Sequence, residues 1–347
     1  MICYDKELNP DQLRIALGAD GPALVLAGAG SGKTRTLIYR VAYLLEEGVR
    51  PEEILLVTFT NKAAQEMRGR LEILLKTKAK GLWCGTFHHV ANRVLRHWGK
   101  PLDLPPDFGI LDQEDSRDLI KACLKIAAPS AGDQKLPKPA LIQSLLSFSA
   151  NAQIRVSQTI SRHYPYLMNF EELFEKVRAL YEDKKKRARS LDYDDLLLRW
   201  RELLTSSSQV RGHLTERFRF CLVDEYQDTN KIQHEIMRIL SERHRNLLVV
   251  GDDAQSIYSF RAATIRNILD FPKDFPDCRT FKLETNYRSV GAILELANQS
   301  IRHNREQFPK DLKSVREFGQ KPQLVRVQSG RQEAGFIAQR LLELREE

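Results

Sequence analysis

The octapeptide Ala27-Gly28-Ala29-Gly30-Ser31-Gly32-Lys33-Thr34 closes an apolar run, Ala23–Ala27, and opens a segment with helical periodicity. Glycines at alternate positions let successive backbone N–H groups converge on a small anion, and a helix starting there adds a favourable field. The pattern is that of a phosphate-binding loop, with Ala27 in the place of the first glycine. Lys33 would reach the β- and γ-phosphates of a nucleotide, and Thr34 would offer its hydroxyl to Mg²⁺. Such a loop requires a strand before it and a helix after it, and the neighbouring sequence supplies both repeatedly. Apolar runs at 23–27, 54–57 and 82–86 alternate with amphipathic patterns at 34–47 and 61–75 and with a helix running through Trp98. In the first helix Leu37, Val41, Leu44 and Leu45 share a face and Gly48 ends it. This alternation predicts βαβ units on a parallel sheet.

Pro101, Pro105 and Pro106 break the rhythm, and residues 108–209 carry almost no strand signal. Asp112 can cap a helix bearing Leu119, Ile120, Cys123, Ile126 and Ala127. Residues 129–139 read as a loop, 170–189 and 191–204 as helices, and Ser206-Ser207-Ser208 as the close of the region. Strand texture returns at 220–224, 246–251 and 280–283, with a helix at 231–242, so a helical insert interrupting one α/β parallel-sheet domain is the simplest account. A helix near 290–304, a strand at 323–327 and a terminal helix follow.

Fifty-four Lys and Arg against 46 Asp and Glu give a net charge of +8, which admits a polyanionic partner but equally suits a merely soluble surface. No apolar stretch is long enough to span a bilayer, and no signal peptide opens the chain. The five cysteines lack Cys-x-x-Cys spacing and the eight histidines lack metal spacing, which predicts a soluble protein of the reducing cytoplasm.

A phosphate loop needs acidic partners at another strand tip. Asp224-Glu225 follows the apolar run Phe220-Cys221-Leu222-Val223. Adjacent carboxylates alone suit a capped acidic helix start equally well. Beside a phosphate loop, Asp224 is expected to hold Mg²⁺ and Glu225 to orient and deprotonate the attacking water.

Asp224-Glu225-Tyr226-Gln227-Asp228-Thr229-Asn230 resembles the second motif of the superfamily 1 helicases of the UvrD, Rep and PcrA type. Leu8-Asn9-Pro10-Asp11-Gln12 is similar to their N-terminal glutamine motif. Thr58-Phe59-Thr60-Asn61-Lys62-Ala63-Ala64, Gly85-Thr86-Phe87-His88, Gly251-Asp252-Asp253-Ala254-Gln255-Ser256-Ile257-Tyr258 and Asn286-Tyr287-Arg288-Ser289 match further motifs in family order. Leu191-Asp192-Tyr193-Asp194-Asp195-Leu196-Leu197 also looks like a family signature.

The resemblance implies an ATP-dependent DNA helicase moving 3′ to 5′, with ATP and Mg²⁺ as cofactors and single-stranded and duplex DNA as partners. It implies a RecA-like sheet domain at 1–104 and 216–285, an all-helical insert at 105–215, and the beginning of a second RecA-like domain at 286–347. It gives Gln12 the adenine edge, Arg35 and Tyr287 the two faces of the base, Gln255 the sensing of the γ-phosphate and Arg288 the role of an arginine finger. Phe59, Asn61, Thr86, Phe87, His88, Tyr258, Phe260 and Arg261 fall at positions that contact DNA in the family. Phe87 and Phe260 could equally be core residues, and Phe260 stands where relatives often carry Trp. The basic run 184–189 suits duplex phosphates or a helix end that complements the macrodipole.

Family members continue well past this length, so a truncated or naturally short form is expected, one that binds nucleotide weakly, hydrolyses it poorly and does not unwind duplex. The charged ending Leu344-Arg345-Glu346-Glu347 favours truncation. The competing readings are the helicase part of an AddA- or RecB-type helicase–nuclease and a non-catalytic ATP- and DNA-binding module. Protein partners are not indicated.

Overall fold

The computed structural model describes residues 2–129 and 136–346. Its strands are β1 (Ala23–Ala27), β2 (Ile54–Thr58), β3 (Trp83–Thr86), β4 (Gly109–Ile110), β5 (Ser190–Leu191), β6 (Phe220–Val223), β7 (Leu247–Gly251), β8 (Arg279–Leu283), β9 (Thr285–Asn286) and β10 (Lys313–Ser314). Six of them form one parallel sheet in the order β3-β2-β6-β7-β1-β8. This is the α/β architecture that the alternating sequence pattern predicts.

The central strands are apolar on both faces, as a doubly covered parallel sheet requires. Leu24, Leu26, Leu55, Val57, Val223 and Val249 feed one core, while Ala23, Val25, Ile54, Leu56, Leu222 and Val250 feed the other. Helices Lys33–Glu46 and Asn61–Leu75 cover the second face through Leu37, Val41, Met67 and Leu71. Helices Phe87–Trp98 and Lys231–Leu240 cover the first through Val90, Val94, Ile236 and Leu240.

The expected insert, residues 105–215, divides between two cores. Helices Gln113–Ala127, Pro139–Ala152, Val156–His163 and Glu171–Arg187 close around Ile120, Ile142, Leu145, Ile160, Phe174 and Val177. Helices Tyr193–Ser206 and Ser208–Arg217 instead send Leu197, Trp200, Leu203 and Leu214 into the core of the sheet domain.

Several local expectations change. The helix expected from 191 begins at Tyr193, because Ser190 and Leu191 pair in parallel with Gly109 and Ile110, and the Asp192 carboxylate caps the helix by accepting from the Asp195 N–H. The serine run does not close the region: Ser207 caps a further helix, Ser208–Arg217, through the Val210 N–H. Residues 323–327 form no strand, and Leu324, Val325 and Val327 are exposed without a neighbouring ladder; β9 instead pairs with β10. Of the loop expected at 129–139, residues 130–135 lie outside the described residues, as does Glu347 of the charged ending. Lys185 of the basic run turns inward, with Nζ 2.8 Å from Asp192 Oδ2 and 2.7 Å from Asp195 Oδ2.

No described helix is long and apolar enough to cross a membrane. All five cysteines are free thiols. Trp200 is wholly buried in the sheet core although it lies within the sequence of the insert. Trp200→Ala is therefore expected to cost the sheet domain about 3–5 kcal/mol in denaturant unfolding. A loss below about 1 kcal/mol would contradict this packing.

Candidate active site

Parallel strands present their C-terminal ends on one edge, which is where α/β sheets bind ligands. Here β6, β7 and β1 are consecutive neighbours, so the segments after them emerge side by side. The segment after β1 is the glycine-rich loop, and Gly32 caps the helix that follows in the left-handed region at φ 87°. A side chain there would be strained, and its Cβ would lie 2.5 Å from Gln12 Nε2.

The loop meets the acidic pair. Lys33 Nζ lies 2.8 Å from Glu225 Oε2, and Thr34 Oγ1 lies 3.4 Å from Asp224 Oδ2. Glu225 itself adopts φ 51°, an uncommon conformation for a residue with a side chain. Its N–H donates to Asp224 Oδ1 and its carbonyl accepts from the Asp228 N–H, which hold that turn. Burial, reinforced by the Glu225 charge and partly offset by Lys33, pushes the Asp224 carboxyl up to about 7. Asp228 is pushed up to about 6, again by burial first and then by Glu225.

Around the nucleotide-base positions, Asn9 caps helix Pro10–Gly18 by accepting from the Gln12 N–H. The Gln12 amide is engaged at both ends: Oε1 accepts from the Asn9 N–H at 3.3 Å and Nε2 donates to the Ser31 carbonyl at 3.1 Å. Tyr287 joins this group, its Oη accepting from Asn9 Nδ2 at 2.7 Å and its N–H donating to the Gly30 carbonyl at 3.0 Å. Arg35 does not face Tyr287 but lies over the Tyr39 ring, 4.9 Å from its centroid, and donates to the Glu7 carbonyl. Asn286 Nδ2 donates to the Ala29 carbonyl, and its Oδ1 accepts from the Arg288 N–H, so Arg288 starts beside the loop. The Arg288 guanidinium makes no hydrogen bond or ion pair among the described residues. Gln255 donates to Asp252 rather than to the loop.

On the other side of the acidic strand tip, a cavity of about 1210 Å³ opens between the sheet edge and the helical insert. Phe59, Thr86, His88, Tyr193, Phe260 and Arg261 line it. The Tyr258 ring packs against both Phe59 and Phe260, with centroids 5.1 and 5.8 Å away and ring planes tilted by 39° and 42°, and the Arg261 guanidinium lies 5.7 Å from both the Tyr258 and Phe260 centroids. Phe260 is 68% exposed, so its ring face is open to a ligand. Phe87 also borders the cavity but is only 5% exposed, and its side chain belongs to the sheet core. Burial pushes the His88 imidazole down to about 4, so it meets this cavity uncharged at neutral pH.

Residues 8–276 match the family described as UvrD/REP helicase N-terminal domain, and residues 281–347 match the UvrD-like helicase C-terminal domain. The chain belongs to the UvrD/REP helicase family. It is 39% identical over 98% of its length to the ATP-dependent DNA helicase PcrA of Leuconostoc citreum, covering 45% of that protein. It is 36% identical to the PcrA proteins of Staphylococcus epidermidis and Staphylococcus aureus, over 97% and 96% of its length. It spans about half the length of these curated relatives, covering 46% and 45% of the staphylococcal proteins.

Within this UvrD/REP framework the structure adds residues to which sequence reasoning gave no role. Gln227 is 1% exposed and donates to Glu225 Oε2 at 2.9 Å while its Oε1 accepts from the Asp252 N–H at 3.0 Å. Asn151 of the insert accepts from Asn230 Nδ2 at 2.8 Å and donates to Asp194 at 2.6 Å. Gln227 and Asn230 sit inside a recognised motif, but their partners come from distant segments, so only the fold reveals them.

The raised Asp224 carboxyl has a measurable consequence. Folded Asp224 keeps its proton up to about pH 7, whereas an unfolded aspartate releases it near pH 4. The folded state therefore binds an extra proton between these values, and stability drawn from this group falls as pH rises across that window. Asp224→Asn is expected to raise the Tm increasingly from pH 4 to 7 and evenly above it. A pH-independent Tm difference would contradict the burial of this carboxylate.

Proposed function

We propose that this chain supplies the nucleotide-hydrolysing motor of an ATP-dependent DNA helicase that moves 3′ to 5′ on single-stranded DNA. Its motor domain comprises residues 1–104 and 216–285, with the helices that end the 105–215 insert packed into its core, and residues 286–347 begin a second domain. The observation that carries the reading is the meeting of Lys33 with Glu225 and of Thr34 with Asp224 across nearly 200 positions of sequence.

In the absence of phosphate, Lys33 is neutralised by Glu225. A triphosphate seated on the loop N–H groups would compete for the ammonium, and the exchange would leave the Glu225 carboxylate free to accept a proton from water. Thr34 and Asp224 offer hard oxygen donors close enough to share one divalent cation, which suits Mg²⁺. Bound there, that ion would neutralise developing charge on the phosphates. Gln12 would exchange its intramolecular hydrogen bonds for the adenine edge. Tyr287 and Arg35 would bracket the ring, Arg35 after leaving Tyr39. Arg288, anchored through its backbone beside the loop and without a side-chain partner among the described residues, would turn toward the γ-phosphate, and Gln255 would report its presence.

The cavity between sheet and insert suits single-stranded DNA. Clustered aromatic rings with one guanidinium offer sequence-tolerant contacts to bases and phosphates. Phe59, Thr86, His88, Tyr258, Phe260 and Arg261 would contact the strand. Asn61, exposed at the start of helix Asn61–Leu75, would meet its backbone, and Phe87 would support the wall from beneath. The 347-residue chain alone would bind nucleotide weakly and hydrolyse it poorly without unwinding duplex, because unwinding needs a cleft that closes between two complete domains.

The test is DNA-stimulated ATP hydrolysis by the protein that carries this chain, wild type against Glu225→Gln. A general base is worth about 10²–10⁴ in rate, so the variant should lose at least about 10²-fold in kcat while still binding ATP. Equal rates would remove the enzymatic reading and leave a binding module.

A further inference from the structure

Lys310 belongs to none of the motifs considered so far, yet its side chain is one of the most enclosed cations among the described residues. Its side chain is 4% exposed, and Nζ lies 2.6 Å from Asp252 Oδ1 and pairs with Asp253 Oδ1. These carboxylates are themselves 4% and 1% exposed. The backbone reinforces the contact, since the Phe308 N–H donates to Asp253 Oδ2 at 3.1 Å. A buried cation between two carboxylates persists only when the remaining oxygens are also bonded. Asp252 meets that condition by accepting from Gln255 Nε2 and from the Ala254 N–H.

Asp252 is also the far end of a continuous set of bonds. Its N–H donates to Gln227 Oε1; Gln227 Nε2 donates to Glu225 Oε2; the same oxygen pairs with Lys33. Gly251 makes the approach possible, because a Cβ there would lie 2.7 Å from Gln227 Oε1 and 2.8 Å from Ile268 Cδ1.

We propose that Lys310 is a positioning residue for ATP hydrolysis, which holds the segment after β7 so that Gln227 keeps the Glu225 carboxylate aimed at the phosphate loop. In this role Lys310 acts through Asp252 and Gln227. Without its charge, Asp252 and Asp253 are left as neighbouring buried anions; their repulsion displaces the Asp252 N–H, and Gln227 loses one of the two contacts that fix its amide. The same displacement disturbs Gln255 through its bond to Asp252. The inference rests on the ATPase reading above, and it adds a residue from the segment between β9 and β10 to the machinery of the strand tips.

The experiment measures DNA-stimulated ATP hydrolysis, with kcat and KM separated, for the wild-type protein, Lys310→Ala, Lys310→Arg, Gln227→Ala and the Lys310→Ala/Gln227→Ala pair. Lys310→Ala should lower kcat about 5- to 30-fold with KM for ATP within about twofold, the range of a coupled residue that does not touch the ligand. Lys310→Arg should recover most of that loss. The double variant should be no slower than the slower single one, since both substitutions cut the same connection. If Lys310→Ala does not fold, Lys310→Gln, which removes the charge but keeps a hydrogen-bond donor, is expected to show the same loss in kcat, and adding Asp253→Asn, which removes the repulsion, to recover most of it. Losses that multiply in the double variant, a change confined to KM, or a wild-type kcat in Lys310→Ala would each overturn the inference while leaving the ATPase reading intact. A wild-type protein with no DNA-stimulated hydrolysis would overturn both.

Discussion

The ion pair between Lys33 and Glu225 joins groups 192 positions apart, and the geometry of the site depends on it. Sheet order makes it possible: β1 and β6 flank β7, so the loop after one and the carboxylates after the other emerge on the same edge. Neither partner is fully solvated. The Lys33 side chain is 9% exposed, and a buried ammonium needs an anion beside it. In the structure that anion is Glu225; a phosphate group satisfies the same requirement. The sheet thus builds a cationic place whose present occupant is also the residue best suited to act on water. In the proposed function, occupation by phosphate and release of the carboxylate would be one exchange.

The same strand tips explain why an insert of roughly a hundred residues is tolerated between β3 and β6. These strands are not hydrogen-bonded to each other, since β2 lies between them. The intervening chain must therefore leave the sheet and return, and loop closure grows only slowly more costly with length. The returning helices Tyr193–Ser206 and Ser208–Arg217 bury Trp200 and Leu214 in the sheet core, which ties the insert down by packing as well as by covalent continuity.

How much of this was legible in the sequence follows from the range of each interaction. β1, β2, β6 and β7 were readable because parallel strands covered on both faces are uninterrupted apolar runs, and the phosphate loop because its backbone demands glycine. Helix Asn61–Leu75 was legible to the residue, with Thr60 as its cap. The two-residue strands β4 and β9 were not, because only a distant partner makes such short segments extended. Helix Ser208–Arg217 was missed because its small residues and sparse apolar face look like a linker, while its cap, Ser207, reads equally well as a turn. Phe87 illustrates the limit at the site: a motif places it beside a cavity, but only burial shows that its ring turns inward while Phe260 remains open. Gln227, Asn151 and Lys310 act through tertiary partners that no local spacing encodes.

Those tertiary contacts also give the molecule its mechanical order. The seven residues from Asp224 to Asn230 touch nearly every part of it: the phosphate loop through Glu225, the segment after β7 through Gln227, and the helical insert through Asn230 and Asn151. Asn267 holds the end of this stretch by donating to the Thr229 and Asn230 carbonyls at 3.0 Å. In the proposed function, a displacement of Glu225 would bear on its neighbours in sequence, which are bonded to elements that line the aromatic cavity. Packed interiors respond to such displacements by moving elements as bodies rather than by deforming smoothly. The contacts of Glu225, Gln227 and Asn230 thus bring the Lys33 ammonium, the segment after β7 and the insert side of the cavity onto one seven-residue segment.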